Sequence, residues 1–558
     1  MNCGAGLSTK TVLIIGGYGV FGGKLAQALV RDGGFDVVVA GRSLAKAQAF
    51  SATHGGRALA VDTGSDQLAA VIANQSPFIV VDAAGPFQNY AKTPYRVAEA
   101  AIACGAHYLD LSDDAEFTAG IQVLDMAAQA AGVVVLSGVS SVPAMSSAAV
   151  EALGEGMTDL HLIESVILPG NRAPRGMSVM RAILAQVGRP MRLWRGNRRA
   201  CVSGWSEGRK ETLLIDGIAP VLGRRSSLIG APDLALFPEH YKARSVEFRA
   251  GLDLWIMHWG LAAVGGVVRL RLLRSAEPLA GLLKWVADRL EPFGSDRGGM
   301  RVRVIGQLGD GRAVRRDWVL IAEAGDGPHI PAVAARVMCK RLLAGQGDAG
   351  ARPCLGEFSL PESEAAMSDL KVTFGRRETA VVPVFQTALG GGFTQLPDVL
   401  CDLHRVLHRC RWTGRAQIMR GRGLLARLIC RVVGFPPAGQ NVPVTVSMHR
   451  RGSVEHWVRD FDGKRFRSTL SVGDAGTVWE RFGPFKFEIG LKISEGQLEY
   501  PVRRARLFGM PWPMALTPKS DTFEGVDARG RATFDVAISL PVVGHMIRYQ
   551  GWLEPVGK

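Results

Sequence analysis

A glycine-rich turn between an apolar strand and a helix constrains this chain more than any other feature. Residues Thr11–Gly16 (TVLIIG) are apolar and rich in β-branched side chains, which is typical of a buried parallel strand. The turn Gly17–Gly22 reads G-Y-G-V-F-G, and a helical stretch, Lys24–Arg31, follows it. Glycines in this pattern allow a tight turn and a close approach to a diphosphate at the helix N-terminus. The order of strand, turn and helix predicts a Rossmann-type nucleotide-binding domain. The residues predicted to contact the diphosphate are Gly16, Gly17, Tyr18, Gly19, Val20, Phe21 and Gly22.

The end of the second strand indicates which dinucleotide is bound. The strand Asp36–Ala40 (DVVVA) is followed by Gly41, Arg42 and Ser43, and Lys46 lies one helical turn further on. An NAD-binding domain usually has an acidic residue at this point to bind the ribose 2′-hydroxyl. A guanidinium suits a 2′-phosphate instead. The sequence therefore predicts NADP(H), with Arg42 and Ser43 as ligands, while a solvated loop charge remains the alternative for Arg42.

Further strands extend the same pattern along the chain. Ala58–Asp62 is predicted as a third strand, which places Asp62 beside the adenine. Phe78–Ala83 is predicted as a fourth, and its turn should lie near the nicotinamide because ligands bind outside the carboxyl ends of parallel strands. Strands and helices alternate from there to residue 145, which predicts an α/β, doubly wound parallel sheet. The residues of the turn are Ala84, Gly85 and Pro86, and the later elements are the helix Thr93–Cys104 and the strands His107–Leu111 and Val133–Leu136.

Several of these motifs together resemble the saccharopine dehydrogenase-like (saccharopine reductase-like) oxidoreductases. They are Ala84–Phe87 followed by Tyr90, the run Gly105–Ser112 (GAHYLDLS), and the turn Gly138–Pro143 (GVSSVP). The resemblance covers roughly residues 11 to 390 and implies a Rossmann domain with a second, mixed α+β domain over the nicotinamide. The chain has Ser140 and Ser141 where several relatives have an Asp before the proline, and it lacks a match to the amino-acid clamps of the lysine-pathway members.

Length and charge set the remaining bounds. At 558 residues the chain predicts three domains, at 1–145, 146–390 and 391–558. Eight scattered cysteines without a C-x-x-C pair indicate reduced thiols and a cytoplasmic location. The net charge is +15, and the part from residue 391 onward has 25 Lys and Arg against 15 Asp and Glu. Because no nucleic-acid recognition motif occurs, a specific nucleic-acid partner is not predicted.

The second domain contains one unusual apolar segment. Residues Leu252–Leu273 include Trp255 and Trp259 and end among arginines, but their uncharged part is too short to span a bilayer. A buried core helix is the plain interpretation, and an interfacial or dimerising helix is the alternative. Peripheral membrane contact at the inner face and a homodimer therefore stay open. The other predicted elements are the strand Leu160–Leu168, the helices Gly176–Gln186 and Pro331–Leu343, and a hairpin of Met300–Gln307 with Val314–Glu323.

The third domain is predicted to be helical at first and then β-rich. Gly423–Val433 predicts a basic amphipathic helix, either a solvated face or a membrane-surface helix. Seven short strands suggest an antiparallel barrel or curved sheet with room for a lipid-like ligand. Phrases such as Trp457–Phe461 resemble a domain family of unknown function that follows saccharopine dehydrogenase-like domains in bacteria. The predicted strands are Val442–Met448, Val454–Phe461, Arg465–Val472, Thr477–Phe482, Phe485–Ile493, Gln497–Leu507 and Thr533–Leu540.

Hydride transfer would need a proton donor or acceptor beside the cofactor. Asp110 is the first candidate from the family motif, with Tyr90 and Ser140 next and Tyr108 and His107 behind them. For each, a structural hydrogen bond is the competing interpretation. His404 and His408 have the i, i+4 spacing of a two-ligand metal site on a helix, but no third ligand is evident, so no metal is predicted.

These features favour an NADP(H)-dependent oxidoreductase that acts on a C=N, C=O or C=C bond of a small-molecule or lipid-like substrate. The alternative is a membrane-associated nucleotide- or lipid-binding protein without turnover.

Overall fold

The computed structural model of the chain describes residues 9–90, 93–174, 176–541 and 543–556. The chain divides into two compact units. The first comprises the residues up to 194 together with 199–304 and 316–378, and the second comprises 195–198, 305–315 and the residues from 379 onward. Cys3 lies outside the described residues, and the other seven cysteines are free thiols.

The first unit begins with alternating strands and helices. In chain order they are β1 (Lys10–Ile15), α1 (Val20–Asp32), β2 (Phe35–Gly41), α2 (Leu44–His54), β3 (Arg57–Ala60), α3 (Leu68–Ala73), β4 (Ile79–Asp82), α4 (Arg96–Ala103), β5 (His107–Asp110), α5 (Ala115–Gly120), α6 (Asp125–Ala130), β6 (Val134–Ser137) and α7 (Ser146–Gly154).

The same unit continues with a mixed set of elements. They are β7 (Met157–Leu168), α8 (Met177–Gln186), β8 (Pro190–Trp194), β9 (Arg199–Ser203), β10 (Ser206–Leu213), β11 (Val221–Leu228), α9 (Asp233–His240), β12 (Val246–Leu252), α10 (Trp255–Arg269), α11 (Ala280–Leu290), β13 (Gly298–Leu308), β14 (Ala313–Ala322), α12 (Ile330–Leu343), β15 (Gly350–Pro353), α13 (Leu360–Ala365) and β16 (Val372–Ala380).

A seven-stranded parallel sheet, in the order β15-β6-β5-β4-β1-β2-β3, forms the nucleotide-binding part of the fold. The side chains of β1 alternate between two buried clusters, Val12 and Ile14 on one face and Leu13 and Ile15 on the other. Burial on both faces explains why the strand reads as a continuous apolar run. The predicted doubly wound Rossmann sheet is confirmed.

The outer strand of this sheet comes from far along the chain. β15 pairs in parallel with β6, so that Gly350 lies opposite Val134 and Pro353 lies opposite Ser137. The intervening residues of the second domain form their own sheet before the chain returns. The predicted segment 1–145 therefore contains six of the seven strands of the Rossmann sheet and leaves out its edge strand.

The second sheet has nine strands. Its main path is β10-β11-β12-β7-β13-β14-β16, and the hairpin of β8 and β9 joins it through β12. β12 runs parallel to β7 and antiparallel to β11, so the sheet is mixed. The predicted strand at 160–168, helix at 176–186 and hairpin at 300–323 all lie here. This confirms the mixed α+β second domain.

One face of the second sheet holds a buried ion cluster centred on Glu164. The carboxylate lies 2.6 Å from the Nη2 atom of Arg209 and 2.9 Å from that of Arg301. Arg301 also reaches Glu211 at 3.0 Å, and Glu164, Arg301 and Glu211 are each at most 5% exposed. Burial by itself raises the pKa of Glu164. The charges of Arg209 and Arg301 outweigh this effect and hold the pKa of Glu164 well below its usual range. The cluster joins strands β7, β10 and β13.

The apolar segment predicted at residues 252–273 forms α10, which lies on the surface of the first unit. His258, Gly265 and Val268 are its buried residues, while Trp255 is 68% exposed and Trp259 is 52% exposed. The interpretation as a buried core helix is therefore wrong, because only one side of the helix packs on the sheet. Among the described residues, no helix has both the length and the apolar character needed to cross a bilayer.

The second unit is built on a 13-stranded antiparallel sheet. Its elements are α14 (Val384–Leu389), α15 (Asp398–His404), β17 (Arg409–Arg420), α16 (Leu424–Val433), β18 (Gly439–Arg451), β19 (Val454–Phe461), β20 (Lys464–Val472), β21 (Thr477–Phe482), β22 (Phe485–Gly490), β23 (Lys492–Ser494), β24 (Gln497–Glu499), β25 (Val502–Leu507), β26 (Met510–Trp512), β27 (Lys519–Val526), β28 (Ala532–Leu540) and β29 (Gly544–Pro555).

This sheet runs in the order β23-β24-β27-β28-β29-β17-β18-β19-β20-β21-β22-β25-β26. It confirms the predicted β-rich domain as an antiparallel sheet. The predicted turn at Asp462 and Gly463 joins β19 to β20, and both residues have the positive φ angles of a tight hairpin. An open groove of about 510 Å³ lies beside Gln417, Gln550 and Trp552.

A buried polar group fastens α15 to β27 within the second unit. The Nε2 atom of His404 lies 2.6 Å from a carboxylate oxygen of Glu524, and the hydroxyl of Tyr500 donates to the same oxygen at 2.5 Å. α15 ends at His404, so His404 and His408 do not share a helix face as the sequence spacing suggested. The spacing of these two histidines therefore does not define a pair of metal ligands on a helix.

Candidate functional site

The glycines of the turn between β1 and α1 are required by close backbone contacts. Gly16 has φ +79°, and a Cβ atom there would lie 2.6 Å from the carbonyl oxygen of Ala83. A Cβ atom at Gly22 would lie 2.4 Å from the carbonyl oxygen of Gly16. The amide of Gly19 donates to that same oxygen at 2.8 Å and closes the turn. Larger residues would push the turn away from the end of β4.

The first turn of α1 follows directly and offers its backbone amides. Gly19 is the N-cap residue, and no side chain caps the helix. The first turn also lacks an acidic residue, and Val20 and Phe21 are half-buried. Unsatisfied amides and the partial positive charge of a helix N-terminus suit a diphosphate. The chain thus presents the geometry that a dinucleotide requires at this point.

The end of β2 is held in place by Tyr18. The phenolic oxygen of Tyr18 accepts a hydrogen bond from the amide of Ser43 at 3.1 Å. Its ring lies so close to Gly41 that a Cβ atom there would be 2.6 Å away. Ser43 caps α2, because its hydroxyl accepts from the amide of Lys46 at 3.4 Å. Of the predicted diphosphate ligands, Tyr18 therefore contacts the predicted 2′-phosphate site at the end of β2.

Arg42 lies at the same end of β2 and is exposed to solvent. It forms no hydrogen bond or ion pair with any side chain in the described part of the chain. Its guanidinium therefore has no partner among the described residues to release before it binds an anion. Asp62, predicted beside the adenine, is also exposed; it lies just past β3, where its carboxylate accepts from the amide of Gly64 at 3.0 Å.

The turn after β4 contains the residues predicted to lie near the nicotinamide. Ala84, Gly85 and Pro86 are half-buried, and the amide of Ala84 donates to the carboxylate of Asp82 at 3.0 Å. The hydroxyl of Ser178, in the first turn of α8, lies 3.5 Å from the carbonyl oxygen of Gly85. An element of the second domain therefore covers this end of the cleft. The sequence predicted α8 as a helix but gave no sign of where it packs.

Asp82 and Asp110 form a buried carboxyl pair. Of the two residues, only Asp110 was predicted from the sequence as a site residue. They occupy paired positions on β4 and β5, and neither is exposed. Burial, together with the charge of Asp110, raises the pKa of Asp82 to about 7. Burial likewise raises the pKa of Asp110 to about 6. An aspartate that ends an apolar strand was the available signal for Asp82.

The predicted catalytic residue Asp110 fixes the turn that follows β6. Its Oδ1 atom accepts hydrogen bonds from the amide of Gly138 at 2.8 Å, the amide of Ser112 at 2.9 Å and the hydroxyl of Ser137 at 3.0 Å. Three donors converge on one buried oxygen. These bonds position the backbone of the turns around Oδ1, while Oδ2 is buried and has no hydrogen-bond partner among the described residues.

The other two candidates differ in their surroundings. Tyr90 is half-buried, and burial and the neighbouring carboxyl of Asp82 raise its pKa. The hydroxyl of Ser140 donates to the carbonyl oxygen of Pro331 at 3.0 Å, which ties the turn after β6 to α12. Of the weaker candidates, His107 accepts a hydrogen bond from the amide of Val134 at 3.0 Å, and Tyr108 is fully buried. Tyr90 and Asp110 therefore share Asp82 as a titratable neighbour, and the hydroxyl of Tyr90 is buried without a hydrogen-bond partner among the described residues.

Two parts of the chain match known protein families. Residues 12–136 match the family described as the saccharopine dehydrogenase NADP binding domain, and residues 396–553 match the domain of unknown function DUF4166. No curated protein sequence matches the chain. The first match supports the predicted cofactor, NADP(H), and the predicted general class, an NADP-dependent oxidoreductase.

The solved structures that match part of this chain include the apo form of saccharopine dehydrogenase (L-Glu forming) from Saccharomyces cerevisiae. It is 16% identical, the match covers 66% of this chain and 100% of that chain, and the TM-score is 0.46. A probable dehydrogenase from Thermotoga maritima is 9% identical, with 64% and 93% coverage and a TM-score of 0.33. The protein GenD2 from gentamicin A biosynthesis, in complex with NAD, is 14% identical, with 66% and 96% coverage and a TM-score of 0.31.

The glycine turn, the uncapped helix and the parallel strand order agree with the first family match, and the antiparallel sheet occupies the range of the second. Residues 12–136 of this chain thus match the saccharopine dehydrogenase NADP binding domain, and residues 396–553 match DUF4166.

Proposed function

We propose that the protein binds NADP(H) along the carboxyl edge of β1, β2 and β4 and acts as an oxidoreductase on a C=N, C=O or C=C bond. The observation that carries the proposal is the backbone cradle at Gly16, Gly19 and Gly22, where an added Cβ atom would meet backbone at 2.4 to 3.0 Å. Such a cradle next to an uncapped helix is suited to a diphosphate. When bound, the coenzyme would supply or accept the hydride.

Arg42 supports NADP(H) over NAD(H). An exposed guanidinium without a carboxylate partner can bind a 2′-phosphate through paired hydrogen bonds. Tyr18 would hold the neighbouring Ser43 amide and thereby the start of α2, so that Arg42 and Lys46 face the same anion. In this proposal Arg42, Ser43 and Lys46 discriminate between the two coenzymes.

For the proton we propose Tyr90, assisted by Asp82. The carboxyl of Asp82 has a pKa of about 7 and is close enough to raise the pKa of Tyr90, so near neutral pH Asp82 can take up or release a proton next to this phenol. The Tyr90 hydroxyl has no hydrogen-bond partner among the described residues and is free to donate to a substrate. We assign Asp110 and Ser140 to positioning, because the Oδ1 atom of Asp110 accepts three hydrogen bonds from the turns after β5 and β6, and the hydroxyl of Ser140 donates to Pro331 of α12.

A fluorescence titration of the full chain with NADPH and with NADH tests the proposal. We expect saturable binding with a preference for NADPH. Gly22→Ala should weaken NADPH binding by about tenfold or more, because its Cβ would push the turn at Gly16 out of place.

Gly154→Ala is a matched control, since a Cβ atom at Gly154 meets nothing within 4 Å. The control should bind NADPH like the unaltered chain. Absence of NADPH binding by the folded chain, or equal binding by Gly22→Ala, would contradict the proposed cofactor site.

A further inference from the structure

The exposed side of α10 is apolar from Trp255 to Ala263, and only its last residue, Arg269, adds a charge. The exposed residues follow helical spacing, from Trp255 and Ile256 through Trp259 to Ala263, and Leu270 continues the same side just beyond the helix. The opposite side, with His258, Gly265 and Val268, is buried. A surface helix of a globular protein normally turns its polar side to water. This helix does the reverse.

Large apolar side chains remain exposed from α10 through α11 to the turn that follows. We define the α10–α11 face as the nine of them that are at least 40% exposed. Isolated exposed apolar residues are common on proteins, but a series of nine along one surface segment is not. The nine are Trp255, Ile256, Trp259, Leu270, Leu272, Leu273, Leu282, Trp285 and Phe293.

The charges beside α10 and the loop that follows it are positive, whereas α11 and its ends carry both signs. Arg269, Arg271 and Arg274 are exposed, and no acidic residue occurs between residues 254 and 276. The guanidinium of Arg225 also lies 4.8 Å from the ring centre of Trp259. Tryptophans and leucines flanked by arginines match the boundary between the head groups and the acyl chains of an anionic bilayer.

The geometry of α10 favours lying on a bilayer over crossing one. The helix has 15 residues and so is about 22 Å long, whereas the hydrocarbon core is about 30 Å thick. A second copy of this chain fits the same surface less well. A two-fold contact would bring the three arginines of each copy, six in all, into or near one interface, and this excess of like charge opposes association.

We propose that the α10–α11 face docks the protein on the surface of an anionic membrane. α11 packs against α8, and the first turn of α8 reaches the carbonyl oxygen of Gly85 at the nicotinamide end through Ser178. Docking would thus bring that end of the cleft close to the bilayer. If the protein is the oxidoreductase proposed above, this placement favours a substrate with an apolar chain that resides in the bilayer.

Sedimentation of the full chain with vesicles tests the docking. The probes are vesicles of phosphatidylcholine alone and of phosphatidylcholine mixed with phosphatidylglycerol. We expect binding to the mixed vesicles and much weaker binding to the neutral ones. Replacing Trp255 and Trp259 by Ser should reduce binding about tenfold or more, because two aromatic side chains lose their apolar burial. Replacing Arg269, Arg271 and Arg274 by Gln should reduce binding to the level of neutral vesicles.

Two further variants locate the binding. The matched control replaces Val123 and Met126, which are 75% and 85% exposed, by Ser. This variant should bind the mixed vesicles like the unaltered chain. Leu424 and Leu428 of α16 are also exposed. A separate variant, in which both are replaced by Ser, tests whether α16 binds the vesicles instead. Binding that is lost in the α16 variant but kept in the Trp255 and Trp259 variant would overturn the proposal.

Two other results would also overturn it. One is failure of the unaltered chain to sediment with the mixed vesicles. The other is dissociation of a dimer into monomers in the Trp255 and Trp259 variant, measured by light scattering without vesicles, which would make the face a subunit interface. NADPH titration without vesicles keeps the two proposals apart, because the vesicle result stands whether or not the coenzyme binds.

Discussion

Asp82 and Asp110 lie side by side at the carboxyl ends of β4 and β5, and both carboxyl groups are fully buried. Burial of two neighbouring carboxyl groups raises the pKa of each above its ordinary value. The folded protein therefore holds protons here that the unfolded chain releases. Stability and proton binding are coupled at this position, which lies at the edge of the proposed cofactor site.

The pair predicts how stability depends on pH. Because the folded pKa values are raised, the contribution of the pair is fully present below about pH 4 and is lost as the pH rises through about 6 to 7. Asp82→Asn keeps an oxygen that can accept the hydrogen bond from the amide of Ala84, and it removes one of the two titratable groups of the pair. The free energy of unfolding, measured by denaturant titration across this range, should fall less with pH in the variant. Asp66→Asn, at an exposed position, is the control, and an unchanged pH dependence in Asp82→Asn would contradict the prediction.

A second prediction separates positioning from catalysis at Asp110. Asp110→Ala leaves the amides of Gly138 and Ser112 and the hydroxyl of Ser137 without their acceptor, which should cost about 3 kcal/mol of unfolding free energy. Asp110→Asn keeps an oxygen for these donors and should retain most of the stability and the NADPH affinity. If Asp110→Asn is folded and binds NADPH but has lost turnover, Asp110 is the proton donor instead.

A third prediction concerns the choice of coenzyme. Arg42→Asp should weaken NADPH binding about tenfold to a hundredfold, because a carboxylate repels the 2′-phosphate that the guanidinium would bind. NADH binding should be unchanged or improved, and fluorescence titration with both coenzymes measures the ratio. The control is Lys10→Asp, which makes the same change of charge at the start of β1, at the end of the strand away from the glycine turn. An unaltered ratio in Arg42→Asp would show that this arginine is only a solvated charge.

A fourth prediction concerns the buried ion cluster of the second sheet. Arg301→Met leaves Glu164 and Glu211 short of a partner in a nearly dry environment, so it should cost about 3–5 kcal/mol. Arg57→Met removes a half-exposed ion pair with Asp36 and should cost at most about 1 kcal/mol. Thermal and denaturant unfolding of both variants measures the difference. Equal losses would mean that burial adds nothing to the ion pairs of Glu164.

The sequence predicted most accurately where short-range patterns determine the structure. The strand before Gly16, the glycine turn and α1 are local, and so is the hairpin at Asp462 and Gly463. Asp82 was missed because a single aspartate at the end of an apolar strand gives no indication of the carboxyl paired with it. Contacts of this kind join residues that are far apart in sequence.

Long-range packing also explains the other differences. The apolar stretch that forms α10 reads like a core helix, since composition does not reveal which side of a helix finds a partner. Seven strands were predicted in the C-terminal domain, where one sheet has thirteen. Strands such as β23, β24 and β26 have three residues each, which is too few to display an alternating pattern.

The return of the chain at β15 has a consequence for how the protein is made. During synthesis the edge of β6 at Val134–Ser137 stays without its neighbour until Gly350–Pro353 has left the ribosome. The nucleotide-binding sheet is therefore completed only after the whole second sheet up to β14 has been synthesised. A fragment that ends at residue 145 would expose an unpaired strand edge, which invites association with other chains.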